Sequence, residues 1–419
     1  MSKKIFAMVE INVDKMLNHL YTNIYLFCQC YFRIKKMFLM RTLIQYSCIL
    51  LFLQFLVCGG DEMNLSTKKG KAEKSSTKSI ESANLPCIAY LSTKTGNILP
   101  SGLVGKLKHY TNDLFLLNYN SKPEINLTEN PTFFSRNQVW SPDGKILAWT
   151  SEKRQLAFFE NGQKDILVPS SEYSVHLFAW SPGSDRIAFV GYKRKDRKPS
   201  NHGIYILKIS EKSISQVFKI EFSKDISKLY WVNNFLVWCN LNGTVEKLNI
   251  VDSKPKGSPK IIFSQKNARC LNIAVSPDNN ALAGRVNNQN RHGIWIFDLD
   301  GKNTHKLIKG EDFYESCAAW HPTDCNLLAF SSRVPGKQGY LALYDFNKSK
   351  LTNIDLKSNY KFIYANTWTK DGRYIVVDCV RKDIDNQSSD ILMYDMENSQ
   401  WINITDSKDS RDFNPVCRP

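Results

Sequence analysis

The chain has 419 residues, 42% of them hydrophobic, 23% charged and 12% aromatic, which excludes disordered and collagen-like chains. A prior of about 150 residues per domain predicts two or three domains, unless the chain is a closed all-β fold, which can run longer as one unit. Eleven Cys occur with no C-x-x-C pair, arguing against zinc ribbons and thioredoxin-like motifs, and a net charge of +16 raises nucleic acid as a partner, subject to where the charges lie.

Residues 1–36 carry no recognisable element. Met37 and Met40 each stand just before an apolar run, so we expect translation to start at one of them; a cytoplasmic leader is the alternative. Leu43 to Cys58 reads LIQYSCILLFLQFLVC and holds no charge. That stretch is shorter than the roughly 20 residues of a membrane-spanning helix. Arg41 precedes it and Cys58-Gly59-Gly60-Asp61 ends it. A charged start, an apolar run and a small polar break are the layout of a secretory signal, here over 37–57. The break resembles a bacterial lipoprotein signal, although Val57 and Phe55 replace the usual small residue and Leu. The resemblance implies an exported chain, anchored in a bacterial cell envelope through lipid on Cys58. An ordinary cleaved signal, an uncleaved anchor and a core helix are the alternatives. Residues 58–85 are rich in Lys, Ser, Thr and Glu and hold no aromatic residue. They bury too little apolar surface to offset ordering and read as a flexible tether.

Residues 86–419 are organised by a repeat. Val139 to Ser151, VWSPDGKILAWTS, recurs at Ala179 to Gly191, Ala274 to Gly284, Ala319 to Ser332 and Thr367 to Asp378, and in a degenerate form at Tyr230 to Cys239. The aligned positions are Trp140, Trp180, Trp231, Val275, Trp320 and Trp368, spaced 40 to 51 residues apart. Each copy reads as a strand ending at Trp, then a Ser-Pro-Asp-Gly turn, then a β-rich second strand. Pro142, Asp143 and Gly144 form the turn in the first copy; Pro182, Pro277, Asp278, Pro322, Asp371 and Gly372 mark it elsewhere. Third strands are predicted over 203–207, 293–298, 340–345 and 391–395, and fourth strands over 305–308 and 401–405. Four antiparallel strands every 40 to 50 residues predict an all-β fold of propeller blades.

These residues resemble the WD40-like (PD40) repeat of the TolB family, and His292 to Ile308 matches the second half of its unit. The resemblance implies a β-propeller, and one version of the function would be a TolB-like role in an envelope complex. The chain ends in Phe413-Asn414-Pro415-Val416-Cys417-Arg418-Pro419, a copy cut inside its turn, while Cys87 to Tyr90 reads as a second strand lacking its first. The C-terminal strand is therefore expected to complete the first blade, giving seven blades and a closed ring. Strand residues flanking the turn, such as Trp140 and Lys145 or Ile146, are expected to face each other. The equivalents in blade one are Cys417 and Pro86 or Cys87, so a Cys87–Cys417 disulfide is one expectation and two buried free thiols the other.

Little catalytic chemistry is visible. The sequence has no G-x-S-x-G elbow, no H-E-x-x-H and no Gly-rich phosphate loop. Peptidase activity is not expected on that basis, and neither a cofactor nor a metal is assigned. His176, His202, His292 and His321 are read as structural or solvent-facing, and the motif Asp residues as turn formers. A basic rim is the candidate binding surface: Lys193, Arg194, Lys195, Arg197 and Lys198 in blade three, Arg333 and Lys337 in blade six, Arg381 and Lys382 in blade seven. The expected protein is a non-enzymatic envelope lipoprotein. Its monomeric propeller docks protein partners, acidic ones among them, and meets the membrane through its lipid. Nucleic acid is disfavoured by the export signal. The alternative is a propeller-based enzyme acting on carbohydrate.

Overall fold

A computed structural model describes residues 87–94, 112–118, 124–129 and 136–419, the last with breaks at 152, 170, 196–197, 222–224, 266–267, 289–290, 309–313, 335, 383–387 and 407–409. Cys58, the apolar run and the tether lie outside the described residues, as does Arg197. The described residues form 28 strands in seven four-stranded antiparallel sheets, and no helix. None of them therefore forms a helix long and apolar enough to cross a membrane.

Each sheet is a blade of a β-propeller. The innermost strands of blades two to seven are Arg136–Trp140, Tyr173–Trp180, Ile226–Val232, Ala268–Val275, Tyr314–Trp320 and Tyr360–Trp368. Blade one takes its innermost strand, Asp412–Cys417, from the C-terminus, beside Cys87–Ser92, Asp113–Asn118 and Ile125–Asn126. Second strands are apolar on both faces because each lies between two neighbouring blades; Leu147–Thr150 is buried throughout. Outer strands such as Ser213–Lys219 are largely exposed.

Seven hydrophobic clusters hold the ring, each shared by two adjacent blades. Ile206 and Val190 of blade three meet Leu229 and Trp238 of blade four. Ile88 and Leu117 of blade one meet Val376 and Met393 of blade seven, which closes the circle. The closing strand is held by more than its ladder. Asp412 is fully buried, and Ser92 Oγ donates to its Oδ1 at 2.5 Å while Ser389 Oγ donates to its carbonyl at 2.7 Å.

The motif tryptophans fasten neighbouring blades. Trp180 Nε1 donates to Val139 O at 3.2 Å, Trp320 Nε1 to Ala274 O at 3.2 Å, and Trp368 Nε1 to Ala319 O at 3.0 Å. Each acceptor directly precedes the motif position of the previous blade, so one contact is reused around the ring.

Two registers differ from expectation. Trp140 faces Leu147 rather than Lys145 or Ile146. The turn is longer because Ser141 N–H reaches Ile146 O at 2.7 Å. In blade one Cys417 lies opposite Ile88, not Cys87 or Pro86. Side chains alternate faces along a strand. Cys417 accordingly packs with Ile88 toward blade seven, while Cys87 packs with Ala89 and Leu91 toward blade two. Both thiols are free, and burial pushes each above the usual thiol range. The disulfide expectation is corrected: the two sulfurs sit on opposite faces of one sheet.

Candidate functional site: the channel mouth and its rim

An up-and-down blade places its first and third turns at one end and its second turn, with the link to the next blade, at the other. The Ser-Pro-Asp-Gly turns therefore share a lower face, and the loops carrying the basic residues share an upper face.

The lower face is built for folding. Ser141 Oγ donates to Asp143 Oδ1 at 2.6 Å, and the same oxygen accepts Lys145 N–H at 3.1 Å. Ser276 with Asp278 and Thr369 with Asp371 repeat this, each at 2.5 Å. The hydroxyl hydrogen bond holds the Asp143 and Asp278 carboxyls below their ordinary value. Gly144 and Gly372 adopt φ of +72° and +73°. In blade six His321 takes the Ser place, its Nδ1 accepting Asp324 N–H at 3.0 Å. These Asp and His residues are turn formers. Among the described residues no group of three or more His, Cys, Asp or Glu is placed to hold a metal ion.

The channel is ringed by β-bulges that sequence reading missed. Every innermost strand carries at least one extra residue: between Arg136 and Val139, Val175 and Leu177, Ile226 and Lys228, Cys270 and Asn272, Ser316 and Ala318, opposite Ala89 to Leu91, and in blade seven both between Tyr360 and Phe362 and between Ala365 and Thr367. Such bulges re-aim side chains and free backbone groups. Here they surround a central cavity of about 280 Å³ lined by Asn137, Gln138, Val139, Lys228, Tyr230 and Asn414 among others. Asn137 Nδ2 donates to His176 O at 3.1 Å, and Gln138 Nε2 to Asn414 O at 2.5 Å. These bonds tie blades one, two and three at the channel wall. The signal that would have found the bulges is the count of residues between blade start and motif Trp, which is unreadable without the partner strand.

The rim residues do not behave alike. Lys193, Lys195, Lys198, Lys337 and Lys382 are exposed. Arg333 stacks on Phe362, its guanidinium 4.6 Å from the ring centroid. Arg381 departs from the rim expectation. Its Nε donates to the buried Asp390 Oδ2 at 2.7 Å and its Nη2 to Asp406 Oδ1 at 2.7 Å, so its charge is neutralised inside the blade.

Blade three gathers histidine, tyrosine and basic side chains at its upper end. Arg154, from the second-to-third turn of blade two, places Nη1 2.8 Å from His176 Nδ1. The rings of His176, Tyr192 and His202 run across three strands, with centroids 5.6 and 5.0 Å apart. Arg194 lies over Tyr192 at 5.8 Å and Lys193 over Tyr173 at 5.9 Å. The arrangement offers N–H donors and positive charge beside an aromatic surface.

No family model matches the chain. Dipeptidyl-peptidase 5 of Porphyromonas gingivalis is 27% identical over 94 residues, 20% of this chain and 14% of that protein. A solved puromycin hydrolase is similar with a TM-score of 0.56 at 12% identity, over 73% of this chain and 51% of that one. A puromycin-hydrolyzing peptidase of Mycobacterium tuberculosis is similar with a TM-score of 0.53 at 11% identity, over 70% and 49%. The chain thus spans about half the length of these structures and a seventh of the curated relative. The structural likeness shows a shared propeller fold. It also corrects the non-enzymatic expectation: the solved chains that share this propeller are parts of enzymes, a puromycin hydrolase and a puromycin-hydrolyzing peptidase among them.

Proposed function

We propose that the chain is a peptidase-related propeller that receives peptides at its upper face, around the channel mouth. The observation that carries this reading is the likeness of the ring to puromycin-hydrolysing peptidases, joined to the stretch similar to Dipeptidyl-peptidase 5. The mouth has suitable chemistry: bulge-freed backbone, amide side chains and aromatic rings beside exposed lysines. The sequence holds no G-x-S-x-G elbow, so in this reading a catalytic unit working with the propeller supplies the nucleophile. The carbohydrate-enzyme alternative has no observation in its favour. Export and lipidation at Cys58 belong to the same proposal, on the strength of the signal layout alone.

Fluorescence anisotropy with labelled peptides of two to eight residues, titrated with the full chain in detergent, tests the reading. Saturable binding is expected for part of the panel. Absence of binding by every peptide at millimolar protein removes the proposal. Fatty-acid labelling of cells making the parent and Cys58→Ala chains tests the anchor; label that persists in the variant rejects it.

A further inference from the structure

We propose that the outer edge of blade four is a docking ledge for an acidic, extended segment of a partner protein, read by Lys254, Lys256 and Lys260 with Lys247 beside them. The ledge lies on the outermost strand of its blade, three strands from the channel. It therefore goes beyond the peptide reading of the mouth and stands without it.

The first observation is a row of lysines on one face. The outermost strand of blade four, Lys254–Phe263, reads KPKGSPKIIF, with three lysines and no acid. Every other described outermost strand carries at most one lysine. Its neighbour is Val245–Val251, where Val251 lies opposite Lys254, Asn249 opposite Lys256 and Lys247 opposite Lys260. Residues two apart along a strand point the same way, and directly opposed residues share a face. All four lysines therefore stand on one face, the one that Val245 and Phe263 turn toward blade five. The row advances two residues of the neighbouring strand per lysine, about 6.6 Å. Gly257, Ser258 and Pro259 bulge out between Lys256 and Lys260, which keeps that spacing.

The second observation is charge left uncompensated. Lys254, Lys256 and Lys260 are exposed and Lys247 is half-buried. Among the described residues none of the four has a carboxylate within ion-pair distance. Asp252 sits in the adjoining turn, and Glu246 points to the other face, where it accepts Asn240 Nδ2 at 2.8 Å. Burial pushes Lys247 below the usual lysine range; Asp300 of blade five opposes the shift and Lys260 adds to it. The Asp300 carboxylate is itself taken by Lys302, whose Nζ lies 3.1 Å from it and whose N–H donates at 3.1 Å. Lys247 Nζ rests instead 4.8 Å from the Phe235 ring centroid. An acidic group on the row would offset the repulsion between Lys247 and Lys260.

The third observation concerns the partner. Lysine and proline on an edge strand also deter pairing with another sheet. That duty accounts for Pro255, Pro259 and an edge lysine. It does not account for Lys247, an inner-strand cation set directly against Lys260, because like charges so placed cost stability. The spacing then selects the class of partner. In an extended segment the side chains of one side recur every two residues, about 6.6 Å apart, so Asp or Glu at alternate positions meets the row lysine by lysine. Duplex nucleic acid packs its charge more densely, at about 3.4 Å per phosphate on each strand.

The test uses the full chain in detergent and three amidated hexapeptides labelled at the amino end: Glu alternating with Thr, Gln alternating with Thr, and three Glu followed by three Thr. At low salt the alternating Glu peptide is expected to bind about tenfold tighter than its Gln counterpart, a preference that shrinks at high salt as screening sets in. Lys256→Ser/Lys260→Ser should lose most of that preference while melting within a few degrees of the parent. Lys350→Ser/Lys357→Ser removes equal charge from two other exposed residues and should keep it. Equal binding of the Glu and Gln peptides, equal binding of the alternating and block peptides, or a Lys256→Ser/Lys260→Ser chain that keeps the preference overturns the ledge and leaves the reading of the mouth standing. Tighter binding of a short DNA duplex through the same lysines overturns the acidic segment as partner. A parent with no preference, whose Lys256→Ser/Lys260→Ser chain self-associates in light scattering, assigns the row to edge protection and overturns the ledge.

Discussion

Replacing Arg381 by Gln separates a binding role from a structural one. Asp390 is fully buried, and its Oδ2 receives Arg381 Nε at 2.7 Å and the Tyr360 hydroxyl at 2.6 Å. Burial, then the bond to Asp390, pushes Tyr360 well above the usual tyrosine range, so it stays a donor wherever the fold persists. Gln removes the Arg381 cation from this carboxylate. Leaving a buried charge unpaired costs about 3–5 kcal/mol. The bond to Asp406 adds little, because that carboxylate is 72% exposed and such pairs contribute below about 1 kcal/mol. Arg381→Gln should therefore lower the urea midpoint and the melting temperature strongly, read by tryptophan fluorescence. Arg381→Gln/Asp390→Asn removes the orphaned charge and should recover most of the loss. A single variant within about 1 kcal/mol of the parent, or a double variant no better than the single, would refute the reasoning.

Three further predictions follow from the repeat. Trp368→Phe loses the indole bond to Ala319 O, whereas the Trp140 indole nitrogen is buried with no hydrogen-bond partner. Trp368→Phe should therefore cost about 1 kcal/mol more than Trp140→Phe in denaturation, and a larger loss at Trp140 would contradict the fastening role. Gly372→Ala meets a positive φ and puts its Cβ 2.1 Å from the His321 ring, while Gly162→Ala meets φ of +80° with nothing within 4 Å. Both should lose about 1–2 kcal/mol for the left-handed backbone, with Gly372→Ala losing more; equal melting temperatures would count against the clash. Asp143 and Asp278 titrate below their ordinary value when folded, because Ser141 and Ser276 donate to them. The unfolded carboxyls titrate at about 3.9, so their stabilisation is complete above that pH and lost as pH falls through the lower folded value. Asp143→Asn/Asp278→Asn should melt below the parent at pH 7 and converge with it near pH 2–3. A gap that does not change with pH would rule this out.

The ring was legible because its information repeats. Six in-register copies of one strand–turn–strand fixed the blade count, and the C-terminal Phe413 to Cys417 supplied the missing strand. What repeats only in space was hidden. The bulges depend on a partner strand. Arg381 finds Asp390 nine residues on and Asp406 twenty-five on, and nothing local marks either as a partner. The Cys87–Cys417 expectation failed by a single residue of register, enough to move a side chain to the other face of a sheet. The likeness to the propellers of solved peptidases was invisible for a different reason. At 10–12% identity the structures share an architecture that many sequences satisfy, since blade packing asks mainly for apolar second strands and tight turns.

The contrast between the two faces argues for where function lies. On the lower face the same hydroxyl–carboxylate pair serves blades two, five and seven, so its chemistry belongs to the fold. A ring of equivalent blades gives a ligand no orientation; that must come from whatever breaks the symmetry. The upper face breaks it at blade three. There Arg154 of blade two meets His176, and Arg186–Lys195 is the longest second strand among the described residues. It pairs with Lys198–Lys208, where Lys195 lies opposite Lys198. A lengthened strand and a contact between blades at the channel edge give a ligand on this face the orientation that equivalent blades cannot.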